Sequence, residues 1–264
     1  MNLELTGKHI LITGGSKGIG LACARTFLSE HARVTLVSRS QENLLAAQST
    51  LLKEAPGASV NIIAADLRDA VDAERAVEAV ERDFGPVDVL VNSAGAAKRT
   101  PAAELTAASW HDAMQAKFFT YIHVINPLIK KMGERGSGAV VNVIGSGGKV
   151  AAVTHLAGGS ANAALMLASA GFAAAYAGKG VRVNAVNPGL TLTERLQEGM
   201  QAEARQQGIS IEEALTRAKA TRPLGRIAEP SEIADAVVYL ASNRASYITG
   251  AVVGMDGAVT PMVV

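Results

Sequence analysis

The chain has 264 residues, 48% of them hydrophobic and 19% charged, a composition that suits one large α/β core and excludes a disordered or modular protein. Basic and acidic residues number 25 and 24, and the resulting charge of +1 argues against nucleic acid or a membrane surface as a partner. The one cysteine, Cys23, excludes an internal disulfide and lacks the clustering of a zinc site, so we expect no bound metal and a reducing, cytoplasmic compartment. No basic region leads into a long apolar N-terminal core, and Gly, Ser and Asn break the Ala-rich stretches, so we expect neither a signal peptide nor a membrane span.

Short runs rich in β-branched residues alternate with longer amphipathic or Ala-rich stretches along the chain. The runs predict seven strands, at residues 8–13, 33–38, 59–65, 87–92, 138–144, 181–187 and 250–254. The stretches between them predict helices at 18–30, 41–55, 69–84, 106–133, 155–179 and 230–242. This alternation indicates a doubly wound Rossmann fold, a mostly parallel seven-stranded sheet flanked by helices on both faces. We expect a single dinucleotide-binding domain over residues 1–264.

A polar, helix-favouring stretch at 195–219 interrupts the alternation after the sixth strand. It is too polar for a core element, so the region of about 190–225 is interpreted as a lid over a substrate. The apolar residues of this region suggest an apolar substrate body: Leu190, Leu192, Leu196, Met200 and Leu224.

A glycine-rich turn, Thr13-Gly-Gly-Ser-Lys-Gly-Ile-Gly20, lies directly between the first strand and the first helix. Only glycine allows both the tight bend and the close approach of backbone N–H groups to a pyrophosphate. An ordinary glycine-rich turn is the alternative, but the position between strand and helix favours a dinucleotide site. The expected contacts are Gly14, Ser16, Lys17, Gly18, Ile19 and Gly20.

Several motifs in this order resemble those of the short-chain dehydrogenase/reductase family, and the resemblance covers essentially the whole chain. The motifs are Gly14-x-x-x-Gly18-x-Gly20, Asp66-Leu67, Asn92-Ser93-Ala94-Gly95, Arg182 to Gly189, Tyr247 to Gly250 and Asp256-Gly257. The resemblance implies adenine contacts at Asp66 and Leu67 and a phosphate contact at Thr193. It implies further cofactor contacts at Asn92, Ala94, Gly95, Pro188, Gly189 and Thr191.

The choice of cofactor can be argued from the end of the second strand. Related folds that bind NAD place a carboxylate there, against the ribose hydroxyls, and a carboxylate would repel a 2′-phosphate. This chain has Ser38-Arg39-Ser40 instead, and Arg39 together with Lys17 could bind that phosphate. We therefore expect NADP(H) in preference to NAD(H), the alternative being that Arg39 is a solvated residue and Lys17 a helix-start charge.

The catalytic positions implied by the resemblance depart from the family pattern. No tyrosine in the chain is followed four residues later by a lysine. The positions of the family's tyrosine, lysine, serine and asparagine hold Gly158, Asn162, Gly145 and Lys117. Lysine and asparagine have thus exchanged places between two helices, which favours rebuilt chemistry over decay.

The rebuilt site would use neighbouring residues. His155 would be the acid/base, Lys117 a ribose clamp and electrostatic aid, and Asn162 and Ser146 hydrogen-bond donors. Each of the four could instead be an ordinary surface or helix-face residue. The expected activity is an atypical, NADP(H)-dependent hydride transfer on a small, largely apolar carbonyl or alcohol. The alternatives are a catalytically inactive nucleotide-binding homologue, in sensing or structure, and a non-redox enzyme such as an epimerase.

The predicted sixth helix consists mostly of Ala, Gly and Ser between residues 157 and 178. Small side chains let another helix approach closely, and the resemblance implies that this helix and the fifth form an interface between subunits. We expect a homodimer or a homotetramer, the alternative being a helix packed entirely on its own sheet.

Overall fold

The computed structural model describes residues 2–95 and 98–261, with all side chains except those of residues 198, 199, 202, 203 and 206. One seven-stranded sheet has the order β3-β2-β1-β4-β5-β6-β7, and every neighbouring pair is parallel. The strands are β1 (His9–Thr13), β2 (Arg33–Ser38), β3 (Val60–Ala64), β4 (Val89–Asn92), β5 (Gly138–Val143), β6 (Val181–Pro188) and β7 (Val252–Met255). The α-helices are α1 (Gly18–Ser29), α2 (Gln41–Glu54), α3 (Ala70–Phe84), α4 (Ala107–Ala113), α5 (Thr120–Arg135), α6 (Leu156–Tyr176), α7 (Glu194–Gln207), α8 (Ile211–Ala220) and α9 (Pro230–Ala241).

The predicted fold is confirmed, and each strand lies within two residues of its predicted bounds. Apolar residues cover both faces of the sheet because its interior strands are buried on both sides. Within β1, Ile10 and Ile12 join one core cluster with α1, α2 and α9, while Leu11 joins the other with α3, α5 and α6. The continuous apolar runs that predicted strands are therefore the runs that contact helices on both faces.

The predicted helix over 106–133 is in fact interrupted. A π-helical segment, Met114–Phe119, separates α4 from α5. A π-turn adds a residue to the helical repeat and changes which side chains point inward, and such turns occur often at functional sites. Hydrophobic periodicity cannot reveal this insertion, because the residues on either side still fit a helix.

The strand order reverses beside β1, which pairs with β2 on one side and β4 on the other. Strands β2 and β3 lie on one side of β1, and β4 to β7 lie on the other side. Parallel α/β sheets bind ligands in the crevice at the carboxyl ends of the strands where the order reverses. The carboxyl ends of β1 and β4 thus mark the place where the glycine-rich turn meets the Asn92 motif.

The polar stretch after β6 forms two helices, α7 and α8. Thr193 caps the start of α7 and Ser210 the start of α8, each accepting a backbone N–H with its side chain. Leu190 and Leu224, at the two ends of the predicted lid, line one cavity of about 260 Å³ together with Met255 of β7. The two ends of this region therefore lie beside Met255, at the carboxyl end of β7.

One expectation about α6 needs correction. By length and composition alone, Leu156–Lys179 would be able to cross a membrane, contrary to the sequence expectation that no segment would. Half of that window is buried inside the protein, however, and the core helix of a soluble protein meets the same criterion. Its apolar character is therefore weak evidence for a membrane span.

Candidate active site

The glycine-rich turn is packed too tightly for side chains. Gly14 has a φ of +65°, and a Cβ there would lie 2.8 Å from Ser93 O and from Ala94 Cα. Gly20 faces the carbonyl of Gly14, and a Cβ would overlap that oxygen. The turn is thus pressed against the end of β4, which brings two of the sequence motifs into one site.

The first turn of α1 offers backbone N–H groups that the chain does not cap. Lys17 is the N-cap residue, its side chain makes no capping hydrogen bond, and the first turn holds no acidic residue. Helix N-termini with free N–H groups bind phosphate well. Gly18, with a φ of +53°, faces the Thr193 side chain, where a Cβ would lie 3.2 Å from Cγ2. The result is a cradle of backbone atoms of the kind that fits a dinucleotide pyrophosphate.

A chain of buried polar side chains fixes the strand ends around this cradle. Thr13 Oγ1 donates to Asn92 Oδ1 (3.2 Å), Asn92 Nδ2 to Asn142 Oδ1 (3.0 Å), and Asn142 Nδ2 to Ser169 Oγ of α6 (2.9 Å). The same Thr13 Oγ1 accepts the backbone N–H groups of Ser93 and Ala94. Buried polar groups with all partners in place hold a structure rigidly. These hydrogen bonds therefore fix the ends of β1, β4 and β5 relative to one another and to α6.

The adenosine end of the predicted site carries positive charge. Arg39 is exposed after β2. Asp66 is bound by Arg68 through Nε and Nη2, and this pairing, with a smaller contribution from Arg39, holds the pKa of Asp66 below its usual range. Lys17 forms an exposed ion pair with Glu194 at 3.0 Å, a contact with which phosphate binding by Lys17 would have to compete. Of these two cations, Lys17 is thus already paired with a carboxylate, and Arg39 is exposed after β2.

The remaining predicted cofactor residues lie at the carboxyl ends of the strands. Pro188 ends β6, and Gly189 follows so closely against Asp256 that a Cβ would lie 3.0 Å from Asp256 Cα. Thr191 is buried and pairs with Ala228. Of the other predicted contacts, Ser16 and Ile19 belong to the turn and the start of α1, Leu67 follows β3, and Ala94 and Gly95 follow β4. Leu67 is 4% exposed with its side chain in the core, so a ligand would meet its backbone.

Three of the four predicted catalytic residues meet at the start of α6. His155 is the N-cap residue of this helix, and Ser146 begins a short 3-10 turn, Ser146–Gly148, packed against it. A Cβ at Gly147 would lie 3.7 Å from His155 Nε2 and 3.8 Å from Asn162 Nδ2. His155 and Asn162 therefore face the same glycine turn.

Unpaired polar atoms are concentrated here. Among the buried side-chain nitrogen and oxygen atoms of residues 2–95 and 98–261, those without a hydrogen-bond partner are His155 Nδ1, Asn162 Oδ1 and Asn187 Oδ1. Asn187 lies at the end of β6, and its Nδ2 contacts Met166 Sδ of α6 at 3.4 Å. An unmade hydrogen bond in the interior costs about 1–3 kcal/mol, so such atoms usually await a ligand or water. The three atoms together mark a polar site at the carboxyl edge of the sheet.

Lys117 is buried, which contradicts the alternative that it is a solvated surface cation. It lies on the π-helical segment with 8% of its surface exposed. Its Nζ donates to Tyr121 Oη at 2.9 Å and to the carbonyl of Val143 at 3.2 Å. Tyr121 is fully buried and donates its own hydroxyl proton to the same Val143 carbonyl. Lysine, tyrosine and the end of β5 thus form one hydrogen-bonded group.

The electrostatics of the two predicted proton-active groups are alike. Burial, with a smaller contribution from the charge of Arg195, lowers the pKa of Lys117 to about 7. Burial also lowers the pKa of His155, with added repulsion from Arg99, Arg195 and Lys117. A base with a pKa near neutrality exchanges protons readily at physiological pH. Lys117 meets this condition, whereas the lowered pKa of His155 favours its neutral imidazole, which can accept a proton.

Two members of this site were missed from the sequence. The signal for Tyr121 is the spacing Lys117-x-x-x-Tyr121, the reverse of the family's Tyr-x-x-x-Lys order, which can be read from the sequence. Asn187 was part of a family motif without a role of its own. Its unpaired oxygen appears only in the three-dimensional structure.

Comparison with known proteins shows similarity to dehydrogenases and reductases. Residues 14–260 match the family model described as enoyl-(acyl carrier protein) reductase. D-threitol dehydrogenase of Mycolicibacterium smegmatis is 34% identical over 259 residues, covering 98% of this chain and 95% of that protein.

Two solved structures add information about ligands. L-sorbose reductase from Gluconobacter frateurii, complexed with NADPH and L-sorbose, superposes with a TM-score of 0.94 at 29% identity and covers both chains completely. An NADPH-bound short chain oxidoreductase from Pseudomonas aeruginosa PAO1, described as containing an atypical catalytic center, superposes with a TM-score of 0.88 at 32% identity. That match covers 97% of this chain and 98% of the other. Both neighbours bind the cofactor that the sequence predicts here.

Proposed function

Because the chain belongs to the short-chain dehydrogenase/reductase family, we propose that it is an NADP(H)-dependent oxidoreductase acting on a small, largely apolar carbonyl or alcohol. The observation that carries this proposal is the meeting of two features at one edge of the sheet. The glycine cradle fits a dinucleotide, and the unpaired atoms of His155, Asn162 and Asn187 lie at the same edge. A nucleotide site beside unsatisfied polar groups suits a reaction in which a substrate oxygen is bound next to the cofactor.

NADP(H) is the cofactor we propose. Gly14, Gly18 and Gly20 would hold the pyrophosphate against the start of α1, and Thr193 would lie beside it. Arg39 would bind the 2′-phosphate, since β2 ends in Ser38-Arg39-Ser40 without a carboxylate. Two NADPH-bound solved structures of similar fold support this choice.

The cofactor supplies hydride transfer at its nicotinamide, and the protein supplies binding, orientation and a proton. His155 is proposed as the acid/base, because its buried Nδ1 has no partner among the described residues and its lowered pKa favours the neutral imidazole, which can accept a proton from a substrate hydroxyl. Lys117 is proposed to clamp the nicotinamide ribose and to stabilise negative charge on the substrate oxygen. Asn162 and Ser146 would donate hydrogen bonds to the substrate.

This catalytic arrangement would be atypical for the family. Gly158 and Asn162 stand at the positions that the family resemblance assigns to tyrosine and lysine. The solved oxidoreductase described as having an atypical catalytic center supports the idea that such sites can retain a bound cofactor.

Several further features belong to the proposal. We propose that residues 1–264 form one domain. A few residues of this range lie outside those that the structure describes. Residues of about 190–225 are proposed as the lid, and Leu190 and Leu224 would contact an apolar substrate body.

We also propose that the protein forms a homodimer or homotetramer through α5 and α6, because Leu167 of α6 is 78% exposed on a helix of small residues. The cytoplasm is the compartment that we propose for it.

The test is fluorescence titration of the purified protein with NADPH and with NADH, followed by a screen of carbonyl substrates. Enhanced nicotinamide emission at lower NADPH than NADH concentrations, with oxidation of NADPH in the screen, would support the proposal. Tight NADPH binding without turnover would favour the inactive nucleotide-binding homologue instead. Absence of binding by either nucleotide would refute the proposed cofactor site.

A further inference from the structure

A reversed lysine–tyrosine pair occupies the wall of the site. Lys117 precedes Tyr121 by four residues, and the Nζ–Oη distance of 2.9 Å shows that the two side chains are hydrogen-bonded. The π-helical segment carries Lys117 and leads directly into α5, whose second residue is Tyr121. The Nζ atom also lies 4.6 Å from the centre of the Tyr121 ring, so the ammonium contacts both the hydroxyl and the aromatic face.

The direction of each hydrogen bond in this group follows from its donors. A carbonyl can only accept, so Tyr121 gives its single proton to Val143 O, and its oxygen is left free to accept from Lys117. Burial raises the pKa of Tyr121, which keeps the hydroxyl protonated and in this orientation. Tyr121 is fully buried, so it cannot itself reach a substrate.

The lysine has one donor left. An ammonium carries three N–H groups, and within the part of the chain that the structure describes two of them are taken, by Tyr121 Oη and Val143 O. No carboxylate forms an ion pair with Lys117 among these residues. A buried cation without a counter-ion is expensive, and an apolar side chain would fill the same space more stably. Its retention is explained if the third N–H serves a ligand.

We propose that Tyr121 is a positioning residue of this site, whose hydroxyl, anchored on the Val143 carbonyl, holds the Lys117 ammonium charged and directed at the bound ligand. This inference rests on the proposed role of Lys117 in cofactor binding. It assigns to Tyr121 a function on α5 that the family resemblance gives to no residue there. The pair would set the pH range over which the site carries its positive charge.

Other charged groups around Lys117 do not provide the same support. Arg195 of α7 and His155 at the start of α6 are basic, and the helical residues of α6 include no charged side chain. The titratable residues of α4 are both exposed: His111 and Asp112. His123 of α5 is engaged with the Leu67 carbonyl through Nδ1. The hydroxyl of Tyr121 and the carbonyl of Val143 are therefore the groups that favour the charged form of Lys117.

The test compares Tyr121→Phe with the wild type by NMR titration of the lysine 13Cε resonances in cofactor-free protein. The Lys117 resonance is assigned by its loss in Lys117→Met. We expect it to titrate near pH 7 in the wild type. In Tyr121→Phe the midpoint should fall by about one to two pH units, the equivalent of a hydrogen bond to a charged group. An unchanged midpoint would overturn the proposal.

Tyr176→Phe is the matched control. Tyr176 also has a lysine above its ring, with Lys179 Nζ at 5.3 Å from the centre, but on the far end of α6. Loss of the Tyr176 hydroxyl should leave the midpoint of the Lys117 titration unchanged. Tyr121→Phe keeps the ring and leaves the Val143 carbonyl bonded to Lys117, so we expect it to fold, and its melting temperature checks this.

A second readout follows the affinity for NADPH between pH 6 and 9. In the wild type the dissociation constant should rise as pH passes about 7, because the ammonium loses its charge. The rise should begin at lower pH in Tyr121→Phe and should disappear in Lys117→Arg, whose guanidinium stays charged. Persistence of the same pH dependence in Lys117→Arg would overturn the link between the pair and the ligand. A wild type that binds no nicotinamide nucleotide would refute the proposed function, whereas the NMR titration still decides the role of Tyr121.

Discussion

Replacing Lys117 by methionine should make the protein more stable at pH 7 while impairing its function. In the folded state the pKa of Lys117 is about 7, against an ordinary value of 10.5, because burial disfavours the charged form. Between pH 7 and pH 10.5, Lys117 therefore carries its proton more often in the unfolded chain than in the folded chain. By linkage, this difference lowers the free energy of unfolding by about 4 kcal/mol at pH 7, and the loss shrinks as pH rises toward the ordinary value.

Methionine removes that cost without leaving a polar atom unpaired. Tyr121 still donates to the Val143 carbonyl after the substitution, so both groups keep a partner. The hydrogen bonds lost with the ammonium offset part of the gain, by about 1.5–3 kcal/mol. We therefore expect Lys117→Met to raise the free energy of unfolding by about 1–3 kcal/mol at pH 7.

The assay is urea unfolding of wild type and Lys117→Met at fixed protein concentration between pH 6 and 9. The stability of the wild type should increase with pH relative to the variant, so the two unfolding curves should approach each other as pH rises. A variant that is less stable than the wild type at pH 7, with a parallel pH dependence, would refute the argument that an uncompensated buried ammonium is present.

Four further predictions concern the cofactor, the acid/base and the assembly. Arg39→Asp should weaken NADPH binding by about 10- to 100-fold through loss of a charge-assisted contact, with NADH changed by less than about threefold, and equal effects in the titration would contradict the 2′-phosphate role. Gly14→Ala forces a side chain into a φ of +65° and against the end of β4, so NADPH affinity should fall by about tenfold or more; an unchanged dissociation constant would exclude this cradle as the phosphate site. His155→Ala should lower kcat by about 100-fold with NADPH affinity within about twofold, and full turnover would leave His155 without a catalytic role. Leu167→Arg should shift the light-scattering mass toward the monomer if α6 forms the subunit interface, whereas an unchanged mass would assign this exposed leucine to a free surface.

The sequence predicted the strands and most helices because each depends on local composition. A buried parallel strand needs a largely apolar run, and β1 and β4 both show a continuous one. The glycine-rich turn could also be predicted from the sequence, since its positive φ angles and close backbone contacts favour glycine. The break in the helix over 106–133 was not predicted, because a π-turn leaves the apolar pattern on either side intact.

The candidate site was predicted in part. Counting along the chain brought His155, Asn162 and Ser146 to one place, and the structure puts all three around the start of α6. Whether these residues do the chemistry stays a prediction. The sequence left the burial of Lys117 open, because lysine is usually exposed and nothing in its neighbours signals a hydrogen bond to a carbonyl 26 residues away.

The sequence by itself determined the doubly wound architecture and the nucleotide cradle, because both follow from local backbone requirements. Tertiary structure alone decided that Lys117 is buried, that it bonds to Tyr121 and Val143, and that Asn187 keeps an unpaired oxygen. These features depend on how α4, α5, α6 and the end of β5 meet. Burial and pKa arise from atoms that are distant in sequence and adjacent only after folding.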